Sequence, residues 1–105
     1  MSRIIWSNVA QSTTTASILV DSQNELTRNP AWHVFVSGTL NGATVSLEYT
    51  PATQDVSDAN ATWFLPTALT HMSLGDTFFW ARPRKFRVII NGGNGTTSIN
   101  VEVRA

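Results

Sequence analysis

Apolar and polar residues alternate with a period of two along most of this chain. Within residues 44–50, Val45, Leu47 and Tyr49 alternate with polar positions, which gives a strand one buried and one hydrated face. No ten-residue window shows the three-and-four spacing of an amphipathic helix, and four prolines interrupt the chain. The pattern predicts strands at about 4–7, 13–20, 32–38, 43–50, 62–65, 77–80, 86–91 and 96–104. Eight short strands imply two packed layers, so we expect an all-β fold, an antiparallel two-sheet β-sandwich.

Two turn signals stand between apolar runs. Asn41-Gly42 tolerates the positive φ angles of a tight turn, so it predicts a β-hairpin that joins residues 31–40 to residues 43–50. The glycine-rich segment 91–95 predicts a second, terminal hairpin. Alternation in the arms of this second hairpin predicts six core side chains: Phe86, Val88, Ile90, Ile99, Val101 and Val103.

One segment could form a short helix. Between Pro66 and Leu74, the side chains of Leu65, Leu69 and Met72 can share one face for a turn or two, although a loop fits the segment equally well. No repeat, low-complexity tract or linker divides the sequence, which predicts a single domain over residues 1–105.

The first twelve residues are a candidate for an extended N-terminal arm. Ile4, Ile5 and Trp6 are apolar, yet a polar stretch separates them from the next predicted strand. This apolar run is too short for a signal peptide or a membrane span, so we expect synthesis in the cytoplasm.

The charge content is low and balanced. Charged residues make up 13% of the 105 positions, and seven basic residues offset seven acidic ones. Such a surface has no long-range field to gather nucleic acid or an anionic membrane, so neither is an expected partner. The chain has no cysteine, which excludes disulfides and thiolate metal sites.

Candidate catalytic chemistry is sparse. His33 and His71 are the only imidazoles, and no nucleophile elbow, metalloprotease helix or paired-carboxylate pattern surrounds them. The aspartates at 55, 58 and 76 match no calcium loop. We therefore predict no enzyme, no metal and no cofactor. A small hydrolase remains the third functional class, because triad residues converge in space and not in sequence.

Two aromatic strands look apolar on both faces. They are the runs Trp32–Val36 and Phe78–Ala81, and a strand of this kind must cover its second face. Packing within the chain, a neighbouring subunit and a sugar ring are the three possible covers for their tryptophans.

A local basic cluster occupies residues 82–87, where four of the seven basic side chains lie within six positions. It could grip an acidic protein surface or a phosphate. It also fits a solvated turn in which Pro83 prevents pairing with other chains.

Residues 36–51, VSGTLNGATVSLEYTP, resemble a pattern in small virion proteins of tailed bacteriophages. In that group an apolar strand enters a glycine-containing turn and is followed by a strand of the Ala-Thr-Val-Ser-Leu type, an Asp-rich loop and a tryptophan. Asp55, Asp58 and Trp63 occupy the later positions here, and residues 86–101 resemble the closing hairpin of the group. The similarity covers about residues 32–104, and this chain departs from it by a longer middle segment, 66–76.

The resemblance implies a jelly-roll-like β-sandwich that acts as a capsid cement or decoration protein and bridges neighbouring capsomers. Its partners would be the major capsid protein or another virion protein, and further copies of itself as a dimer or trimer. It would be made in the host cytoplasm and reside on the capsid surface. A tail, collar or fibre module is the nearest variant. The residues expected to make these contacts are Ile4, Ile5, Trp6, Trp32, Trp80, Arg82, Arg84 and Lys85.

A carbohydrate-binding module is the competing class. Sandwiches with exposed tryptophans and loops rich in Asn or Asp are common hosts for such modules.

Overall fold

Seven strands in two antiparallel sheets make up the part of the chain that the computed structural model describes, which is residues 3–20, 31–52, 55–81 and 83–104. The four-stranded sheet has the order β1-β7-β3-β5, and the three-stranded sheet has the order β2-β6-β4. The predicted antiparallel β-sandwich is confirmed. The strands are β1 (Arg3–Val9), β2 (Ile18–Leu19), β3 (Ala31–Thr39), β4 (Thr44–Thr50), β5 (Gly75–Trp80), β6 (Lys85–Asn91) and β7 (Ser98–Arg104).

Strand pairing is nested around the centre of the chain. The first strand pairs with the last, β2 pairs with β6, and β3 pairs with β5, all antiparallel. The contacts of β7 with β3 and of β6 with β4 then complete the two sheets. This nested order is the one produced when a ribbon doubles back on itself and rolls up, as in a jelly roll.

The eighth strand of a jelly roll is replaced by an irregular segment along the free edge of β4. Phe64 bridges Tyr49, Met72 bridges Val45, and one turn of 3-10 helix at Thr67–Leu69 lies between them. The strand predicted at 62–65 is therefore reduced to a single bridge. The strand predicted at 13–20 is likewise reduced to the two residues of β2 and an isolated bridge at residue 14.

The turns of the two predicted hairpins are confirmed, but the predicted pairing between the arms of each hairpin is wrong. Asn41 and Gly42 adopt φ of 46° and 88°, and the Ala43 N–H donates to the Leu40 carbonyl at 3.1 Å. However, β3 and β4 lie in different sheets, as do β6 and β7. Each turn carries the chain across the core to the opposite layer, so its two arms face each other through their apolar sides and are not hydrogen-bonded neighbours.

The N-terminal segment lies within the sandwich. Residues 3–9 form β1 along one edge of the four-stranded sheet, with Ile4 opposite Val103 and Trp6 opposite Val101. Residues 3–9 of the segment expected to extend as an arm are thus an edge strand of the sandwich. Residues 1 and 2 lie outside the described residues.

Among the described residues, one hydrophobic core fills the space between the sheets, and all six predicted core side chains of β6 and β7 belong to it. Trp32 is fully buried at its centre, with its ring centroid 5.0 Å from Phe86 and 6.3 Å from Phe79. In the segment that could have formed a helix, Leu69 and Met72 are buried, whereas Leu65 is exposed.

Candidate functional site

The outer face of the four-stranded sheet carries a cluster of exposed aromatic side chains. Because successive residues of a strand point to opposite faces, the burial of Trp32 and Val34 turns His33 and Phe35 outward. The burial of Phe79 likewise turns its two neighbours in β5 outward. We call the four exposed rings, His33, Phe35, Phe78 and Trp80, the aromatic face.

Three of these rings form a continuous row across β3 and β5. His33 lies opposite Phe78 in the strand register, and their ring centroids are 5.0 Å apart at an interplanar angle of 85°. The next contact, from Phe78 to Trp80, spans 5.5 Å at 79°. Trp80 is 68% exposed and Phe78 is 47% exposed, so the row is open to solvent. Edge-to-face contacts of this kind hold the rings in place before any partner arrives.

Charged side chains border the rings and are paired within the face. The imidazole Nδ1 of His33 lies 3.1 Å from a carboxylate oxygen of Asp76. On β7, Arg104 Nε donates to Glu102 at 2.9 Å. Glu102 is thus paired with a cation and Asp76 lies within hydrogen-bonding distance of an imidazole, so a partner could cover this face without leaving either carboxylate without a neighbour.

Part of the outer face of the opposite sheet is covered by the chain itself. Residues 55–63, the covering loop, lie over β6: Lys85 Nζ donates to the Val56 carbonyl at 2.6 Å and lies 3.6 Å from the Asp58 carboxylate. The guanidinium of Arg87 stacks 4.1 Å from the ring centroid of Trp63. The two sheets therefore differ, since a loop covers part of one outer face whereas the other presents open aromatic rings.

Asp58 anchors the covering loop. The Ser17 hydroxyl donates to it at 2.7 Å and the Ser17 backbone N–H at 3.2 Å. The hydrogen bond from the Ser17 hydroxyl, helped by the Ser17 N–H and the charge of Lys85, lowers the pKa of the Asp58 carboxyl below its ordinary value of 3.8. Burial opposes this effect without reversing it.

Of the predicted contact residues, two are on the open sheet face. Trp80 belongs to the aromatic face, and Ile5 is exposed on β1, opposite Glu102 of β7. Ile4, Trp6 and Trp32 are core residues, so their side chains are unavailable to a partner in this fold. The physical reason is strand parity, which turns these three side chains to the inner side of the sheet.

The basic cluster does not form an open patch in the described part of the chain. Lys85 is buried under the covering loop, and Arg84 is half-buried with its backbone N–H bonded to the Thr50 carbonyl. Arg82 lies outside the described residues. Phe35 and Phe78 were not among the predicted contacts, although their strand parity, opposite to that of the core residues, would have identified them.

The two histidines lie on different elements. His33 belongs to the aromatic face, whereas His71 lies in the irregular segment beside β4, where its backbone N–H donates to the Ser46 hydroxyl at 3.0 Å. Within residues 3–20, 31–52, 55–81 and 83–104, no group of three or more His, Cys, Asp or Glu side chains could hold a metal ion. No helix in those ranges is long and apolar enough to span a membrane.

Comparison with known proteins does not extend the site. No family model, curated protein or solved structure matches this chain.

Proposed function

We propose that this chain is a structural protein of a tailed-phage virion, a capsid decoration protein that stabilises the shell through protein–protein contacts. The aromatic face is the observation that carries the proposal. It is an open surface of aromatic rings and internally paired side chains on one sheet, whereas the covering loop lies over part of the other sheet.

The composition of this surface fits a protein partner. Aromatic side chains are enriched at protein interfaces, because they bury a large area and lose little conformational freedom. Sheets that bury one side in a core usually expose polar residues on the other, so Phe35, Phe78 and Trp80 on the outer side are a departure that calls for a partner. Static contacts repeated over a particle suit such a surface better than substrate turnover.

Co-sedimentation with undecorated capsid shells of the encoding phage tests the proposal. The wild-type chain should pellet with shells and saturate, whereas Trp80→Ser should bind at least about tenfold more weakly, the loss typical of an aromatic anchor. Leu19→Ser is the matched control, because Leu19 is 44% exposed on β2 in the other sheet. Its binding should equal that of the wild type.

Two results would contradict the proposal. If the chain binds isolated tails or fibres and not shells, it is a tail, collar or fibre module. If it binds no part of the virion, the structural role is wrong.

Carbohydrate binding is the second candidate, and the exposure of Trp80 beside the carboxylate of Asp76 and the imidazole of His33 favours it. The angle of 79° between Phe78 and Trp80 counts against a flat two-ring platform for a sugar chain. A saturable change in tryptophan fluorescence on titration with polysaccharides, absent in Trp80→Ser, would support this candidate over the virion role.

A further inference from the structure

We propose that the aromatic face is covered by a second copy of this chain, in a two-fold dimer whose four-stranded sheets pack face to face. The inference rests on the proposed function in taking the aromatic face as a protein-contact surface. It assigns that contact to a second copy, so the dimer binds the shell through its other surfaces, and Trp80→Ser weakens shell binding by weakening the dimer.

Strand register gives two neighbouring rows in the middle of the outer face. Residues 104, 33 and 78 are aligned across β7, β3 and β5, and so are residues 102, 35 and 76. The first row, which we call the basic row, holds Arg104, His33 and Phe78. The second, the acidic row, holds Glu102, Phe35 and Asp76. Two residues separate the rows along each strand, a distance of about 6.7 Å.

This arrangement is complementary to itself. A two-fold axis that runs between the rows and across the strands places the basic row of one copy against the acidic row of the other. Arg104 of each copy then faces Glu102 of the other, the imidazole of His33 faces the ring of Phe35, and Phe78 faces Asp76, whose carboxylate keeps its contact with His33 of its own copy. An axis parallel to the strands would instead bring like rows together. Self-complementarity of one patch is the requirement of a two-fold interface, and alternation of charge sets its register.

The size of the face sets the expected affinity. Four strands about 4.8 Å apart and six residues at about 3.3 Å each give a face of roughly 20 by 20 Å. Two such faces together cover roughly 800 Å², which is below the range of about 1,200–2,000 Å² that stable, specific interfaces bury and in the range of weak, transient contacts. We therefore expect a weak dimer, with a dissociation constant in the range of about 10–100 μM, which fills at the high local concentration of a particle surface.

Dimerisation supplies what a cement protein needs. A two-fold dimer carries two copies of every other surface of the chain, so it can hold two capsomers at once without a second binding site on each subunit.

Sedimentation velocity of the full chain, from about 5 to 500 μM, measures the dimerisation. Two variants that reverse the charge of one paired position each test the proposed register. Arg104→Glu places two acids at the paired positions, and Glu102→Arg places two bases there. Each variant alone should dimerise at least about tenfold more weakly than the wild type. An equimolar mixture of the two should form a heterodimer near wild-type strength, because opposite charges then face each other. Circular dichroism and urea unfolding of each variant establish that it is folded.

A wild-type chain that stays monomeric at about 500 μM overturns the dimer. So does a mixture that associates no better than its components. The dimer and the virion role can fail separately. A monomer that still pellets with shells overturns only the dimer, whereas a dimer that never pellets overturns only the virion role.

Discussion

The indole nitrogen of Trp32 donates a hydrogen bond to the backbone carbonyl of Ala81, the residue after β5, at 3.3 Å. Trp6 is also buried, but its indole nitrogen has no partner among the described residues. An unsatisfied buried donor costs about 1–3 kcal/mol, whereas a satisfied one contributes to stability. The two core tryptophans therefore differ in what their N–H groups contribute.

Replacement of each by phenylalanine should reveal this difference. Trp32→Phe removes the hydrogen bond and leaves a cavity at the centre of the core, and it should cost about 2–4 kcal/mol. Trp6→Phe removes an unsatisfied donor along with some buried area, so the free energy of unfolding should change by less than about 1 kcal/mol. Urea unfolding measures both, and equal losses would contradict the assignment.

Gly38 is expected to tolerate no side chain. Its φ is +107°, and a Cβ there would collide with the carbonyl oxygen of Ser98 on the neighbouring strand. Gly38→Ala should destabilise the protein by about 2–4 kcal/mol or prevent folding. Gly95→Ala is the control, because a Cβ at Gly95 would meet nothing within 4 Å and its φ is not positive. It should change stability by less than about 0.5 kcal/mol.

Acid should loosen the covering loop through Asp58. Because the pKa of Asp58 is lower in the folded chain than its ordinary value of 3.8, the ionised carboxylate stabilises the fold above that value. This contribution is lost as the pH falls through the folded pKa. The difference in unfolding free energy between wild type and Asp58→Asn should therefore be constant near neutrality and shrink below about pH 4.

Urea unfolding at several pH values measures this difference. Ser17→Ala removes the largest cause of the lowered pKa, so it should also flatten the acid dependence. An unchanged profile in both variants would show that the Ser17–Asp58 contact does not hold the loop.

Trp80 should matter little for folding. Its side chain is 68% exposed, so Trp80→Ser should change the free energy of unfolding by less than about 1 kcal/mol. The same variant should shift tryptophan emission to shorter wavelength and reduce quenching by acrylamide, because the remaining indoles at positions 6, 32 and 63 are buried or half-buried. Unchanged quenching would contradict the exposure of Trp80.

Local alternation identifies the inside of this sandwich well, because it follows directly from strand geometry. Val88 and Ile99 lie where their spacing predicts, and Asn41 adopts the left-handed conformation that its glycine neighbour indicates. Alternation does not show which strands pair with each other. A tight turn has the same chemistry whether its arms pair side by side or face each other across a core, so Asn41-Gly42 could not distinguish a hairpin from a corner between sheets.

The candidate site likewise combines features that local alternation predicts with features that depend on distant parts of the chain. In β3, the alternation that buries Val34 also buries Trp32 and exposes Phe35. The sequence of this strand alone therefore distinguishes the core ring from the surface ring. Lys85 is different, because its burial depends on the covering loop, which starts some thirty residues earlier in the chain. The alternation of residues around Lys85 therefore cannot predict this contact.

The nested strand pairing delays folding of the first strand during synthesis. Since β1 pairs with β7, the ribosome must make almost the whole chain before the first strand finds its neighbour. Until then Ile4 and Trp6 emerge on an unpaired, apolar edge of the kind that recruits other nascent chains. Slow initiation and low temperature during expression should raise the soluble yield, and any truncation that removes β7 should send the product into inclusion bodies.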